Sequence, residues 1–307
     1  MSFQKVAVLG ASGNFGLPIT TSLLSSGFTV TAISRATSTS PFPVSLTSNP
    51  NFTLLRTEYA LDEITATLKG QDAVVCVVGP GGVSLQGMMV DAAVAAGVRR
   101  FVVDDFGWGM ARNSFEEFAG VHRLRVEGWE RARERAEGSE GGFTWTGISI
   151  GNPVDWALNK FPLMGFNLPA RSAIIYDSGT EYFSGTTLEG IGQSVVGVLQ
   201  RPEETKNRFV RVMSIKTSQN ELLAAFEEVT GQKWEIRRDG TERLLESGRS
   251  KYREGQPGWV LELVVTQLFQ EEEGRGRVAD GREETDSELL GVREEGPEEV
   301  VRKALGM

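Results

Sequence analysis

The opening of the chain constrains its fold more than any other stretch: the apolar run Val6-Ala7-Val8-Leu9 leads directly into Gly10-Ala11-Ser12-Gly13-Asn14-Phe15-Gly16. A near-continuous apolar run suits a parallel strand covered on both faces. Gly10 allows a tight turn, Gly13 lets backbone approach a pyrophosphate, and Gly16 lets the following helix pack close to the strand. Free backbone N–H groups and the positive end of that helix would hold the anion. The spacing departs from G-x-G-x-x-G by carrying Ser12 where the second glycine would fall. Strand before, helix after and position at the start of the chain read as a dinucleotide-phosphate cradle made by Gly10, Ser12, Gly13, Asn14, Phe15 and Gly16, in preference to an empty glycine-rich turn.

The rhythm continues downstream. A helix over residues 18–26 ends at Gly27, and a strand over 28–34 delivers Arg35 to the place where such folds meet the adenosine ribose. An acidic residue there would bond a 2′-hydroxyl; Arg35, with Ser34, Thr37 and Ser38 around it, suits a 2′-phosphate and points to NADPH. A loop over 37–50 precedes a strand at 52–57, a helix at 61–68 and a strand at 73–78. That strand finishes in Gly79-Pro80-Gly81-Gly82, small residues that either lie against the cofactor or make a simple turn. A helix over 84–96, a strand over 99–103, a long helix over 119–137 and a strand over 143–150 follow. The alternation specifies an α/β fold, a right-handed, doubly wound parallel Rossmann sheet. From Gly151 onward segments rich in aromatics, Pro and Gly suit the walls of a pocket. The expected division is an NADP-binding Rossmann domain over 1–151 and a smaller C-terminal substrate-binding lobe over 152–307, with residues 188–213 returning to the first. The charged, glycine-interrupted tail 271–299 is expected to be poorly ordered before a short last helix.

Composition removes several classes of partner. With 41 acidic against 32 basic side chains, a net charge of -9, the chain has no basic stripe to displace phosphate counterions, which argues against nucleic acid. The arginines between 123 and 135 alternate with Glu127, Glu130, Glu134 and Glu137 and read as a solvated, ion-paired face. Cys76, the single cysteine, sits in an apolar run and reads as core. No stretch approaches the roughly 20 apolar residues of a membrane span, and the start does not read as a signal peptide. A cytoplasmic protein acting on a small-molecule substrate is the expectation; the sequence does not specify an oligomeric state.

Four pieces together resemble the NmrA-like and isoflavone-reductase-like atypical short-chain dehydrogenases: Gly10-x-x-Gly13-x-x-Gly16, Arg35, Gly70-Gln71-Asp72-Ala73-Val74-Val75, and Val98-Arg99-Arg100-Phe101-Val102-Val103-Asp104-Asp105-Phe106-Gly107. Tyr176-Asp177-Ser178-Gly179-Thr180, the stretch from Thr186 to Gly192 and Asn220-Glu221-Leu222 are also similar to that group, so the resemblance covers about residues 3–235. It implies a reductase that uses NADPH on a small, aromatic or polyketide-like secondary metabolite. Other members of the group bind the dinucleotide as sensors without turnover, and a non-redox enzyme on the same scaffold is a third reading. The family often uses a lysine in the helix after its F-G segment. This chain has no lysine between Lys69 and Lys160, and alignment on Val126-Glu127 puts Arg123 in that place. Arginine stays protonated, so Arg123 could orient or stabilise a substrate oxygen but not cycle as an acid. His122, the only histidine, is then either the proton donor or a structural helix residue. Asp104 and Asp105 follow a sheet strand at its ligand-binding end. Asp104 is a candidate proton source and Asp105 a cofactor contact, with capping of the turn as the alternative for both. Trp108, Asn152, Asp155 and Trp156 are candidate substrate contacts, and Phe161, Phe166 and Phe183 could add aromatic faces or belong to the core.

Overall fold

Strand β1 (Lys5–Leu9) sends Val6 and Val8 into one buried cluster and Ala7 and Leu9 into another, because successive side chains of a strand point to opposite faces. Both faces of the strand are therefore covered. The computed structural model describes residues 3–109 and 114–307 of the chain. Along it run α1 (Gly16–Ser25), β2 (Thr29–Arg35), a single turn α2 (Val44–Thr47), β3 (Phe52–Thr57), α3 (Leu61–Leu68), β4 (Ala73–Cys76), α4 (Gln86–Ala95), β5 (Arg100–Val102), α5 (Ala119–Glu137) and β6 (Thr144–Ser149). After β6 come α6 (Val154–Leu158), β7 (Phe166–Asn167), β8 (Ser172–Tyr176), β9 (Phe183–Gly185), α7 (Leu188–Gln200), α8 (Pro202–Thr205), β10 (Arg208–Arg211), β11 (Ile215–Thr217), α9 (Gln219–Thr230), β12 (Glu235–Asp239), α10 (Thr241–Arg253), α11 (Trp259–Phe269) and α12 (Pro297–Leu305).

Seven strands form one parallel sheet in the order β10-β6-β5-β4-β1-β2-β3. The strand order reverses between β1 and β4, which opens a crevice at the carboxyl ends of those strands. Helices α1 and α7 cover the face that carries Val6 and Val8, through Ile19, Leu23, Ile191 and Val195. Helices α3, α4 and α5 cover the other, through Ile64, Leu68, Met89 and Trp129. Strand β10 docks on β6 because Gly147 leaves room for Phe209; a Cβ at 147 would stand 2.2 Å from that ring. The ring packs edge-on against Trp129 and Trp145.

The remaining chain builds a smaller lobe from the antiparallel pair β11-β9 and the three-stranded sheet β12-β8-β7. Its core gathers Phe166, Phe183, Phe226, Trp234, Phe269 and Val300. The elements follow the sequence reading closely, with small shifts: the first helix begins at Gly16, and the helix expected over 84–96 opens with a 3-10 turn, Val83–Leu85. The tail differs from expectation. Leu290 and Val292 are buried in the same cluster as β1, the Asp286 carboxylate accepts from Arg208 (2.7 Å) and from the Arg211 amide (2.9 Å), and Ser287 Oγ accepts from the Met213 amide at 2.9 Å. Its charges tie it to β10, so the segment is part of the packed structure. Among the described residues no helix is long and apolar enough to cross a membrane, and no group of His, Cys, Asp and Glu could hold a metal ion.

Candidate active site

The glycine turn takes the shape its spacing implies. Gly10 has φ +85°, donates to the Ile33 carbonyl at 3.0 Å, and would bring a Cβ within 2.4 Å of Val77 O. Gly13 donates to Gly10 O at 2.9 Å, and a Cβ at Gly16 would stand 2.2 Å from the same oxygen. No side chain caps the start of α1; Leu17 donates to Gly13 O at 3.1 Å and Pro18 has no amide hydrogen, so the Gly16 amide and the positive end of the helix are what remain for an anion. The residues of the turn therefore fit a dinucleotide phosphate. Ser12 Oγ lies 3.3 Å from both Ser34 Oγ and Ser38 Oγ, Asn14 is exposed, and Phe15 meets Phe106 and Trp156 at centroid distances of 6.5 and 6.3 Å. Arg35 extends from the end of β2 across the crevice, its Nη1 3.9 Å from where a Cβ on Gly81 would stand. Gly10, Ser12, Gly13, Ser34, Arg35 and Ser38 line a cavity of about 160 Å³ there.

On the β4 side the loop that contains Gly79 and Pro80 is pinned by Asp104. The Gly79 amide donates to Asp104 Oδ2 at 2.8 Å, the Asp104 amide donates to Gln86 Oε1 at 2.6 Å, and Trp129 Nε1 donates to the Asp104 carbonyl at 3.2 Å. Burial pushes this carboxyl up to about 6, against the lowering influence of Arg125 and the Val78 and Gly79 amides. Asp104 thus faces the loop, where it positions backbone.

Asp105 faces a different space. It lines a cavity of about 210 Å³ between the two lobes with Phe106, Trp108, His122, Arg125, Val264 and Gln267. Burial, reinforced by the neighbouring Asp104, raises its carboxyl to about 7, while Arg125 and the amides of Gly107 and Gly109 oppose the shift. Ser149 Oγ donates to Asp105 Oδ2 at 3.5 Å. A carboxyl that carries its proton near neutral pH can deliver it. The His122 pKa is lowered, by desolvation first and then by Arg125, both of which favour the neutral imidazole.

The structure brings His122, Asp105 and Trp108 together and leaves Arg123 out. Arg123 points to solvent and pairs with Glu127 at 2.8 Å, with side-chain exposures of 68% and 55%. The helix residue that reaches the cavity is Arg125, three positions after His122 and so on the same face. The signal was present in the charge pattern: Arg123 has an acid four residues later, whereas Arg125 has Trp129. Asn152 and Asp155 also lie elsewhere. Asn152 is buried against Met164 Sδ and bridges to Gly185, and Asp155 accepts from the Leu188 amide at 3.0 Å, which fixes the start of α7. Trp156 packs on Phe15, with Lys160 over its ring. Phe166 stacks in the second-lobe core with Phe226, Phe183 meets Phe269, and Phe161 is exposed. The positions missed were those on α11, Val260, Val264 and Gln267, which roof the cavity from a segment far along the chain.

Comparison with known proteins identifies the family and the fold. The profile of a family described as NAD(P)H-binding matches residues 10–172. The chain is 53% identical to Oxidoreductase poxI of Penicillium oxalicum over 98% of its own length and 94% of the relative's. Among solved structures, an isoflavone reductase superposes with a TM-score of 0.75 at 20% identity, covering 98% of this chain and 99% of that one. AtPrR2 with NADP+ and (+)-pinoresinol superposes with a TM-score of 0.74 at 18% identity, covering 98% of each.

Proposed function

Because this chain belongs to the NAD(P)H-binding, isoflavone-reductase-like branch of the atypical short-chain dehydrogenases, and is an oxidoreductase of that family, we propose that it uses NADPH to reduce a small aromatic or polyketide-like secondary metabolite. The observation that carries the reading is the cavity at the carboxyl end of β5, where Asp105, His122 and Arg125 converge beside the loop that Asp104 holds. NADPH, when bound, supplies the hydride. The glycine turn and the open start of α1 would hold its diphosphate, and Arg35 with Ser12, Ser34 and Ser38 its 2′-phosphate. Asp105 holds the proton that matches the hydride. Arg125 stabilises negative charge on the substrate oxygen without exchanging protons, since a guanidinium stays charged. Phe106, Trp108 and Phe118 exclude water from the cavity, which strengthens each of these interactions. Residues 1–151 serve as the nucleotide domain and 152–307 as the substrate lobe, with 188–213 returning to the first. Stopped-flow recording of reduced-nicotinamide absorbance, with enzyme, NADPH and a panel of aromatic enones and quinones, tests the proposal. At least one such compound is expected to be reduced faster with NADPH than with NADH, and complete inertness of the panel with both nucleotides would count against it.

A further inference from the structure

Five arginines lie on α5, and four of them are ion-paired: Arg123 with Glu127, Arg131 with Asp91 and Glu134, Arg133 with Glu130 and Glu137, and Arg135 with Asp91. Arg125 is the exception. Among the described residues it has no ion-pair partner, and its Nε is buried without a hydrogen bond. Trp108 Nε1 and His122 Nδ1 are in the same condition, and all three residues line the cavity beside Asp105. Indole and guanidinium nitrogens can only donate. Buried donors left without acceptors are costly. Much of the surrounding wall is apolar, with Phe106, Phe118, Val260 and Val264, and the Gln267 Oε1 in it accepts from Ser114 Oγ at 3.4 Å, while none of the three nitrogens reaches an acceptor.

The charges that face Arg125 are Asp104 and Asp105, and both act on it without contact. Asp104 spends its carboxylate on the Gly79 amide, and burial keeps the proton on Asp105 up to about neutral pH. His122 is shifted toward its neutral form there. The guanidinium is therefore a poorly compensated cation in an apolar cavity, a state that an anion relieves and a neutral carbonyl does not. Resting on the oxidoreductase reading above, we propose that the substrate is an organic acid, a planar apolar body whose carboxylate or ionised hydroxyl is received by Arg125 and Trp108. Arg125 is then the residue that selects acids over their neutral counterparts.

Calorimetric titration of the full-length protein, with and without NADP+, against 2-naphthoate and its uncharged isostere 2-naphthamide tests this. The wild type is expected to bind the carboxylate at least tenfold more tightly than the amide. Arg125→Gln should erase that preference, Arg125→Lys should keep part of it, and Arg133→Gln, on the solvent side of the same helix, should leave it unchanged. Fluorescence titration with NADPH checks that each variant keeps its nucleotide site. Equal affinities for the two probes in the wild type, binding of neither, or a preference that survives Arg125→Gln would overturn the inference. Failure to bind or oxidise NADPH would instead sink the reductase reading, and the titrations without nucleotide would still decide the question of charge.

Discussion

At the scale of single residues, the proposed chemistry and nucleotide preference rest most on two side chains. Asp105 has its carboxyl raised to about 7 chiefly by burial, well above the roughly 3.9 of an unfolded aspartate. If it delivers the proton, turnover is expected to fall about tenfold per pH unit above 7, and Asp105→Asn should slow it by about 10²–10⁴-fold with NADPH affinity retained; single-turnover rates across pH check both. The same shift bears on stability. A raised native pKa means that the protonated carboxyl contributes fully below about pH 4, and the contribution is lost as pH rises through 7. Asp105→Asn should therefore gain melting temperature relative to the wild type as pH goes from 4 to 8, and a difference that shrinks over that range would show the carboxyl is not buried as described. Arg35 is the second. One charge-assisted contact to a 2′-phosphate contributes about 1.5–3 kcal/mol, or roughly tenfold to a hundredfold in affinity. Calorimetry should find NADPH bound that much more tightly than NADH, with the advantage removed in Arg35→Ala.

At the scale of elements, α5 and β10 show how much one position matters. Side chains two residues apart on a helix diverge by about 200°, so the choice between Arg123 and Arg125 decides between a solvated ion pair and the cavity wall. Strand β10 depends on an absence, the missing side chain at Gly147 that admits the Phe209 ring between Trp129 and Trp145. Gly147→Val would place its Cβ 2.2 Å from that ring and must displace it. The expected cost is about 1–3 kcal/mol, read as a lower denaturation midpoint in urea, and an unchanged midpoint would mean that the edge of the sheet yields more easily than its packing implies.

Across the whole molecule, the two lobes are stitched together by segments remote in sequence. The stretch from Arg282 to Val292 crosses back to β10 and α7, where Leu290 is buried among the residues that cover β1 and its backbone lies so close to Gly197 that a Cβ there would stand 2.3 Å from Leu290 O. Leu290→Ala is therefore expected to cost about 2–5 kcal/mol, a core penalty from a residue in a segment whose composition resembles a solvated tail. Chemical denaturation followed by tryptophan fluorescence measures it; a loss below 0.5 kcal/mol would place the segment on the surface. The cavity has the same long-range character. Asp105 comes from the end of β5, His122 and Arg125 from α5, and Val264 and Gln267 from α11.

What the sequence determined by itself was local and periodic. Apolar runs separated by glycine-terminated helices set the parallel sheet, to the residue in Phe52–Thr57, Leu61–Leu68 and Ala119–Glu137, and the glycines at 10, 13 and 16 set the turn proposed to meet the nucleotide. Those features depend on neighbours within a few positions, where backbone sterics and the two periods of helix and strand dominate. Tertiary structure decided which polar groups are buried and what they face. Asp104 and Asp105 are adjacent and chemically identical, yet one is turned to a loop amide and the other to the cavity. Asn152 and Asp155 carry the polarity of pocket residues but are consumed by Met164 and by the start of α7. The tail has the composition of disorder and the packing of core, because its Asp286 carboxylate and Glu284 carbonyl accept from Arg208 and Arg211 of β10, 73 to 78 residues away in the chain. Burial and electrostatic pairing arise from contacts between distant segments, and no window of sequence contains them.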